Sequence, residues 1–235
     1  MILKSIIYQI VSVLAVGLYF VPMLLVIGKK LWSAVPFRLF ALYWLVCAAA
    51  NLVEFLHLST AALELFTVIY NLLDIPLVLA IFYISSEDTA LKKFTKIVSP
   101  ALLAVGLVNC MIRGFTPDAL KYLLGIELLI VCGVIIWKII LKLQQIRLTG
   151  HAKGLSLICA ALLFEYGTFI VIYIFDYFLP GTSSATDNFL VYYLSSLVAL
   201  PVAICGFLIK GIKGPPAGDF VENQYSKSIP DYVRG

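Results

Sequence analysis

Seven apolar segments, each long enough to cross a lipid bilayer, constrain this chain more than any other feature of its sequence. They lie at about 6–28, 39–58, 61–84, 97–113, 120–142, 155–178 and 188–210. A hydrocarbon core about 30 Å thick needs roughly 20 apolar residues for each helical crossing. Charged residues make up 13% of the chain, against roughly 25% in soluble domains. We therefore predict an all-α integral membrane protein with a seven-helix transmembrane domain over residues 1–212.

Lysine and arginine are unevenly divided between the two ends of these segments. Fourteen of the 17 fall on one side, and Lys4, Arg113 and Lys121 are the three on the other. Because cytoplasmic loops carry the excess of basic residues, this division predicts an N-terminus outside and a C-terminus in the cytoplasm. We expect the protein in a plasma membrane or a bacterial inner membrane. Residues 213–235, which are polar and contain prolines, are predicted to form a disordered cytoplasmic tail.

Ionisable and amide side chains recur inside the apolar segments, where each ionisable group costs roughly 2.5–3.5 kcal/mol. Spacings of three and four residues put Glu64, Thr67, Asn71 and Asp74 on one stripe of the third helix. We expect such stripes to converge on an interior cavity that opens outward above an apolar floor. The predicted ligand-binding residues are Asn51, Glu54, His57, Asn71, Asp74, Glu127, Glu165, Tyr192 and Ser195.

Asp74 is predicted to be the lowest polar group of this cavity. We expect it to pair with Asn71 or with a tyrosine or glutamate of the second, sixth or seventh helix. An unpaired carboxyl group buried in an apolar medium stays protonated. Asp74, Glu127 and Glu165 are therefore expected to share protons, and they are the candidate catalytic residues.

Other residues are interpreted as structural. The tryptophans, Trp44 among them, are expected at the membrane interfaces, and Gly125, Gly133 and Gly167 at close helix contacts. The five cysteines lie within the apolar segments without CxxC spacing or neighbouring histidines, so no metal site is predicted. The sequence contains no cofactor fingerprint, and the cofactor stays unassigned.

Tyr70, Asp74, Pro76 and Leu77 resemble the third helix of microbial rhodopsins, in which a carboxylate precedes a Pro-Leu pair. The resemblance implies a seven-helix bundle of the same orientation. It ends at the seventh helix, because the stretch ALPVAIC at 199–205 contains no lysine and Lys210 lies at the inner end of that helix. A retinal Schiff base at the usual place is therefore excluded. The HxxxD and HxxxH zinc spacings of seven-helix ceramidase-like hydrolases are also absent.

Three functions are compatible with these patterns. The first is a receptor-like or sensor-like protein that binds a small amphiphilic or protonatable ligand in an outward-facing pocket. The second is a proton-coupled transporter or proton pathway, and the third is an intramembrane enzyme that modifies a lipid or isoprenoid with paired carboxylates. The expected partners are the lipid bilayer and a small-molecule or lipid ligand, with no nucleic acid, and a homo-oligomer is left open.

Overall fold

The computed structural model describes residues 2–53, 59–144, 149–179 and 185–212. They form seven α-helices: α1 (Ile2–Gly28), α2 (Val35–Leu52), α3 (Thr60–Ser85), α4 (Thr89–Arg113), α5 (Pro117–Leu143), α6 (Gly150–Phe178) and α7 (Ala185–Leu208). Each helix contains a stretch long and apolar enough to span a membrane, and the described residues contain no strand. The prediction of an all-helical, polytopic membrane architecture is confirmed.

Several helices begin earlier than their apolar segments. α4 begins at Thr89 because the Asp88 side chain accepts a hydrogen bond of 2.7 Å from the backbone N–H of Leu91. α6 begins at Gly150, where Thr149 caps the backbone N–H of Ala152 in the same way. The apolar pattern marks only the part of a helix that lies in lipid, whereas polar caps extend the helix beyond it. The end of the predicted second helix, with Glu54 and His57, lies outside the described residues, as does the predicted tail at 213–235.

The seven helices close into a ring. Each helix packs against the next one along the chain, α7 returns to α1, and α3 also contacts α5. The turns at which α1, α3, α5 and α7 finish lie at one end, which we call the basic end. Ten lysines and arginines of the described chain lie at or near it: Lys29, Lys30, Arg38, Lys92, Lys93, Lys96, Lys138, Lys142, Lys153 and Lys210.

Some of these lysines fasten helix ends together. Lys29 Nζ donates to the carbonyl oxygens of Phe207 and Leu208, both at 3.0 Å, at the end of α7. Lys138, buried in α5, donates to the carbonyl oxygen of Ser85 at 3.2 Å, at the end of α3. Cations at these positions stabilise the helices, because the unpaired carbonyl groups at a helix C-terminus carry partial negative charge.

An aromatic layer fills the bundle near the basic end. Phe37, Phe40, Trp44, Phe82 and Phe207 are fully buried. Their rings meet edge to face, with centroids 5.6 Å apart for Phe40 and Phe82 and 6.1 Å apart for Trp44 and Phe207. We call these five residues the aromatic floor. They separate the polar interior described below from the basic end.

Close contact between α6 and α7 depends on two glycines. A Cβ atom added to Gly154 would lie 2.7 Å from the carbonyl oxygen of Gly206, and the reverse substitution meets the Gly154 oxygen at the same distance. Gly125 lies against Tyr173, as expected for a helix contact. The expectation is wrong for Gly133 and Gly167, since no side chain or neighbouring helix of the described residues lies within 4 Å of a Cβ added there. A sequence does not show which glycines face a neighbouring helix and which face lipid.

Candidate functional site

A cavity of about 410 Å³ lies between α2, α3, α5, α6 and α7, at the end of the bundle opposite the basic end. It extends from Leu63, Pro117 and Tyr177 near the helix ends down to Asp74 and Leu128 midway along α3 and α5. Its volume lies within the range of roughly 300–1,000 Å³ typical of small-molecule sites.

The walls of the cavity are mainly aromatic and aliphatic. Seven of its twenty lining residues are aromatic: Phe66, Tyr70, Phe169, Tyr173, Tyr177, Phe189 and Tyr192. Polar side chains are contributed by Asn51, Thr67, Asn71, Asp74, Asp176 and Asn188. The described lining residues include two carboxylic acids and no lysine, arginine or histidine. The cavity is therefore apolar, with a few polar groups and an acidic character.

Helix α3 supplies the polar stripe at the centre of this site. Thr67, Asn71 and Asp74 all line the cavity, because residues three and four apart lie on the same face of a helix. Glu64 does not follow them, since its side chain is exposed and takes no part in the lining. The stripe predicted from the spacing therefore reaches the cavity from Thr67 onward, and Glu64 lies before it, a single turn from the start of α3.

Both carboxyl oxygens of Asp74, which is only 8% exposed, are hydrogen-bonded to tyrosine hydroxyl groups. Tyr43 Oη of α2 lies 3.0 Å from Oδ1, and Tyr166 Oη of α6 lies 2.9 Å from Oδ2. The two tyrosine oxygens also lie 3.0 Å from each other. We call this arrangement the Asp74 triangle. Its members lie on α2, α3 and α6. The expected pairing with a tyrosine of the second or sixth helix is therefore confirmed, and the alternative partner, Asn71, is not bonded to Asp74 in this arrangement.

The number of hydrogens decides how many contacts of the Asp74 triangle are hydrogen bonds. Its three oxygen-to-oxygen contacts need three hydrogens, and the hydroxyl groups of Tyr43 and Tyr166 supply two. A protonated Asp74 supplies the third and closes the ring of donors. An ionised Asp74 takes both tyrosine hydrogens and leaves the contact between the two tyrosines without one. The geometry is therefore compatible with either state of the acid.

Glu165 lies outside the cavity but is joined to it by hydroxyl groups. It is 4% exposed and accepts from Tyr19 Oη at 3.3 Å and from Trp44 Nε1 at 3.4 Å. Tyr19 Oη is also 3.0 Å from Tyr192 Oη, which accepts from Asn51 Nδ2 at 2.9 Å. Asn51 and Tyr192 line the cavity. The hydroxyl groups of Tyr192 and Tyr19 therefore form a continuous chain from the cavity to Glu165, which we call the hydroxyl chain.

Glu127 and Ser195 lie in the interior but away from the cavity lining. Glu127 is 2% exposed, and its Oε1 atom has no hydrogen-bond partner among the described residues. Ser195 Oγ donates to the carbonyl oxygen of Tyr192 in its own helix at 2.8 Å. Of the nine predicted ligand-binding residues, Asn51, Asn71, Asp74 and Tyr192 line the cavity, whereas Glu127, Glu165 and Ser195 do not. The remaining two, Glu54 and His57, lie outside the described part of the chain.

The sequence predicted a tyrosine of the second or sixth helix as a partner of Asp74 but did not show that it would be Tyr43 and Tyr166. It gave no partner for Glu165, which the structure pairs with Tyr19 and Trp44. Trp44 was expected at a membrane interface and is instead fully buried. The sequence feature that pointed to these partners was the presence of tyrosine hydroxyl and tryptophan indole donors in the same apolar segments as the carboxyl groups. Because tyrosine and tryptophan also anchor helices at interfaces, that signal does not by itself separate the two roles.

No group of three or more histidine, cysteine, aspartate or glutamate side chains in the described ranges is arranged to hold a metal ion. Comparison of the chain with protein-family models, curated proteins and solved structures gives no match.

The Asp74 triangle makes a prediction about stability. Replacing Tyr43 by phenylalanine removes the hydroxyl group bonded to Asp74 Oδ1 and one of the two contacts of Tyr166 Oη, which keeps its contact with Asp74 Oδ2. We expect the free energy of unfolding to fall by about 1–3 kcal/mol. Thermal or denaturant unfolding of the purified protein measures this change. Tyr122→Phe is the matched control, because Tyr122 is 65% exposed, and equal stability of the two variants would contradict the role of the triangle.

Proposed function

We propose that this protein binds a small amphiphilic or protonatable ligand in the cavity and acts as a membrane receptor or sensor. The observation that supports the proposal most directly is the cavity itself, about 410 Å³ of mainly aromatic space with Asn71 and Asp74 near its base. Ligand sites are typically apolar clefts with a few polar groups that fix orientation. The apolar wall would hold the body of the ligand, and the base would hold its polar head.

A ligand bound in the cavity would contact, directly or through hydrogen bonds, most helices of the bundle. The ligand would touch α2, α3, α5, α6 and α7. The hydroxyl chain brings α1 into the same network through Tyr19. A ligand shifts a conformational equilibrium only by its difference in affinity for the two states. Five helices line this site, so movement of any one of them changes the shape of the cavity. The ligand would then bind the two conformations with different affinity.

In our proposal the cavity opens outside the cell and the basic end faces the cytoplasm. The excess of lysine and arginine at the basic end supports this orientation, since such residues are enriched in cytoplasmic loops. The expected location is a plasma membrane or a bacterial inner membrane, with the segment beyond Ile212 in the cytoplasm.

Reporter fusions test the orientation. Green fluorescent protein fused to the C-terminus is expected to fluoresce, because it then folds in the cytoplasm. The same reporter fused after Gly114, between α4 and α5, is expected to stay dark, because four crossings would bring it outside. The reverse pattern of fluorescence would invert the orientation.

Filling the cavity tests ligand binding. Asn71→Phe places a ring in the cavity, and Leu73→Phe is its matched control, because Leu73 lies on the outer surface of the same helix. The probes are 3-phenylpropan-1-ol, 3-phenylpropylamine and 3-phenylpropanoate. We expect at least one of them, at about 10 times its dissociation constant, to raise the melting temperature of the wild type and of Leu73→Phe by roughly 2–5 °C, with no rise for Asn71→Phe. Identical responses of all three proteins, or no response by any, would contradict the proposal.

A second candidate function is proton-coupled transport, supported by the hydroxyl chain from the cavity to Glu165. Successive hydroxyl groups at Tyr192 and Tyr19 can pass a proton by exchanging donor and acceptor roles. The chain stops at Glu165 above the aromatic floor, so release on the other side would require the helices around that floor to move. In this function Glu165 would take up a proton from the cavity side.

The second candidate makes its own prediction, on flux. In proteoliposomes that contain a pH-sensitive dye, the wild type is expected to move protons down an imposed pH gradient faster than protein-free vesicles do. Tyr19→Phe removes the only hydroxyl group that contacts both Tyr192 and Glu165 in the described network, and should slow this flux at least about 100-fold. Tyr122→Phe should leave it unchanged. Wild-type flux no greater than that of empty vesicles would remove the candidate.

The enzyme hypothesis requires Glu127 or Glu165 beside Asp74 in one cavity. Only Asp74 of these three lines the cavity found among the described residues. The geometry therefore gives no support to paired-carboxylate catalysis, and we do not propose it.

A further inference from the structure

The charged groups of the cavity restrict the ligand it can hold. Its described lining contains Asp74 near the base and Asp176 near the mouth, and no cationic side chain. A ligand with a carboxylate or phosphate head would meet two acids and no cationic side chain, with only amide and hydroxyl groups as donors. A ligand with a positive head would meet both acids, together with amide and hydroxyl oxygens that accept hydrogen bonds. The acidic lining thus selects against anions.

The two acids are not equivalent. Asp176 is exposed and accepts a hydrogen bond from Asn188 Nδ2 across the α6–α7 contact. Asp74 is buried, and an unpaired charge there costs far more than it does near the mouth. A cation would therefore gain most by pairing with Asp74.

No described cation of the protein already plays that part. Lys121 lies near the mouth, with its Nζ atom 5.3 Å from the centroid of the Tyr177 ring. Lys138 and Lys142 bind Ser85 and Glu87 at the basic end, beyond the aromatic floor. The ionisable groups around Asp74 in the described residues are acids and weak acids: Tyr43 and Cys47 on α2, Tyr70 on α3, Glu127 on α5, and Glu165 and Tyr166 on α6.

The aromatic walls suit a cation as well. Tyr70, Phe169 and Tyr192 line the cavity in the same part as Asp74, and the Phe169 and Tyr192 rings are stacked with centroids 5.3 Å apart. The face of an aromatic ring carries partial negative charge and attracts organic ammonium groups. The same rings accept an apolar body, so an ammonium group carried on an apolar skeleton fits both requirements.

We propose that the ligand is an organic cation, an ammonium group on an apolar body, which pairs with Asp74 in exchange for a proton. This inference rests on the proposed binding function and specifies its ligand class. In the empty site Asp74 carries a proton and closes the ring of three hydrogen bonds in the Asp74 triangle. When the cation enters, that proton leaves to water in the cavity, and Tyr43 and Tyr166 donate to the two oxygens of the carboxylate. One positive charge enters and one leaves, so the net charge of the buried site is unchanged.

The substitution Asp74→Asn tests the negative charge of Asp74 apart from its hydrogen bonds in the Asp74 triangle. The amide is close in shape to the protonated acid, with one nitrogen able to donate to a tyrosine and one oxygen able to accept from the other. The triangle should survive, while the negative charge cannot form. Asp176→Asn is the matched control, because it removes the acid near the mouth and leaves the base untouched.

The experiment is calorimetric titration of the full chain in phosphatidylcholine nanodiscs with 3-phenylpropylamine, 3-phenylpropan-1-ol and 3-phenylpropanoate, after subtraction of empty nanodiscs. We expect the wild type to bind the amine about 10- to 100-fold more tightly than the alcohol, as for a hydrogen bond to a charged group. Asp74→Asn should lower this ratio to about 1 while it keeps the affinity for the alcohol, and Asp176→Asn should retain the preference. Titrations in buffers of different ionisation enthalpy should show release of about one proton per amine bound and none for the alcohol.

The outcomes distinguish this inference from the proposed function. If the wild type binds the alcohol or the carboxylate as tightly as the amine, the cation inference is wrong although binding in the cavity stands. If no probe binds more tightly to the wild type than to Asn71→Phe, both are wrong. An amine preference that persists in Asp74→Asn, or amine binding without proton release, overturns the pairing with Asp74. Should Asp74→Asn fail to fold, the amine-to-alcohol ratio and the proton release of the wild type still decide the question.

Discussion

A carboxyl group at membrane depth must find its partners within the protein, because lipid offers none. Asp74 meets that requirement through Tyr43 and Tyr166, and Glu165 meets it through Tyr19 and Trp44. These donors come from α1, α2 and α6, so satisfying two acids fixes the relative positions of most of the bundle. The helices that surround the cavity are held by these few hydrogen bonds as well as by apolar packing.

The interior is divided into two parts with different chemistry. Around the cavity, amide, hydroxyl and carboxyl groups face an open volume, whereas the aromatic floor below is closely packed. Well-packed apolar interiors respond to strain as a unit, since no free volume absorbs it. A ligand at the base of the cavity would therefore lie between a half of the bundle that can deform around the cavity and a closely packed half that moves as a unit. Such an arrangement suits a sensor, because a change of shape at the cavity is passed to the packed half. Lys29 and Lys138 reinforce the stiff half by binding the last carbonyl groups of α7 and α3.

Asp74 links the proposed binding site to the second candidate function. A carboxyl group that exchanges a proton for a cation is one half of a proton-coupled transport cycle, and the hydroxyl chain to Glu165 would supply a second place for the proton. What separates a receptor from a transporter here is the aromatic floor. If it stays closed, exchange at Asp74 reports the ligand, and if it opens, the same exchange moves the ligand.

The sequence by itself determined the all-helical class and the number of helices that are long and apolar enough to span a membrane. Long apolar runs leave no other way to satisfy the backbone in lipid. It also determined that Thr67, Asn71 and Asp74 share a face of α3, because that follows from helical periodicity alone. Only the tertiary structure decided that Tyr43 and Tyr166 are the partners of Asp74, that Glu127 and Glu165 lie away from the cavity, and that Trp44 is interior. Those facts depend on how each helix is rotated about its axis, and the apolar residues that face lipid are the same kinds that face the core, so composition does not reveal the rotation.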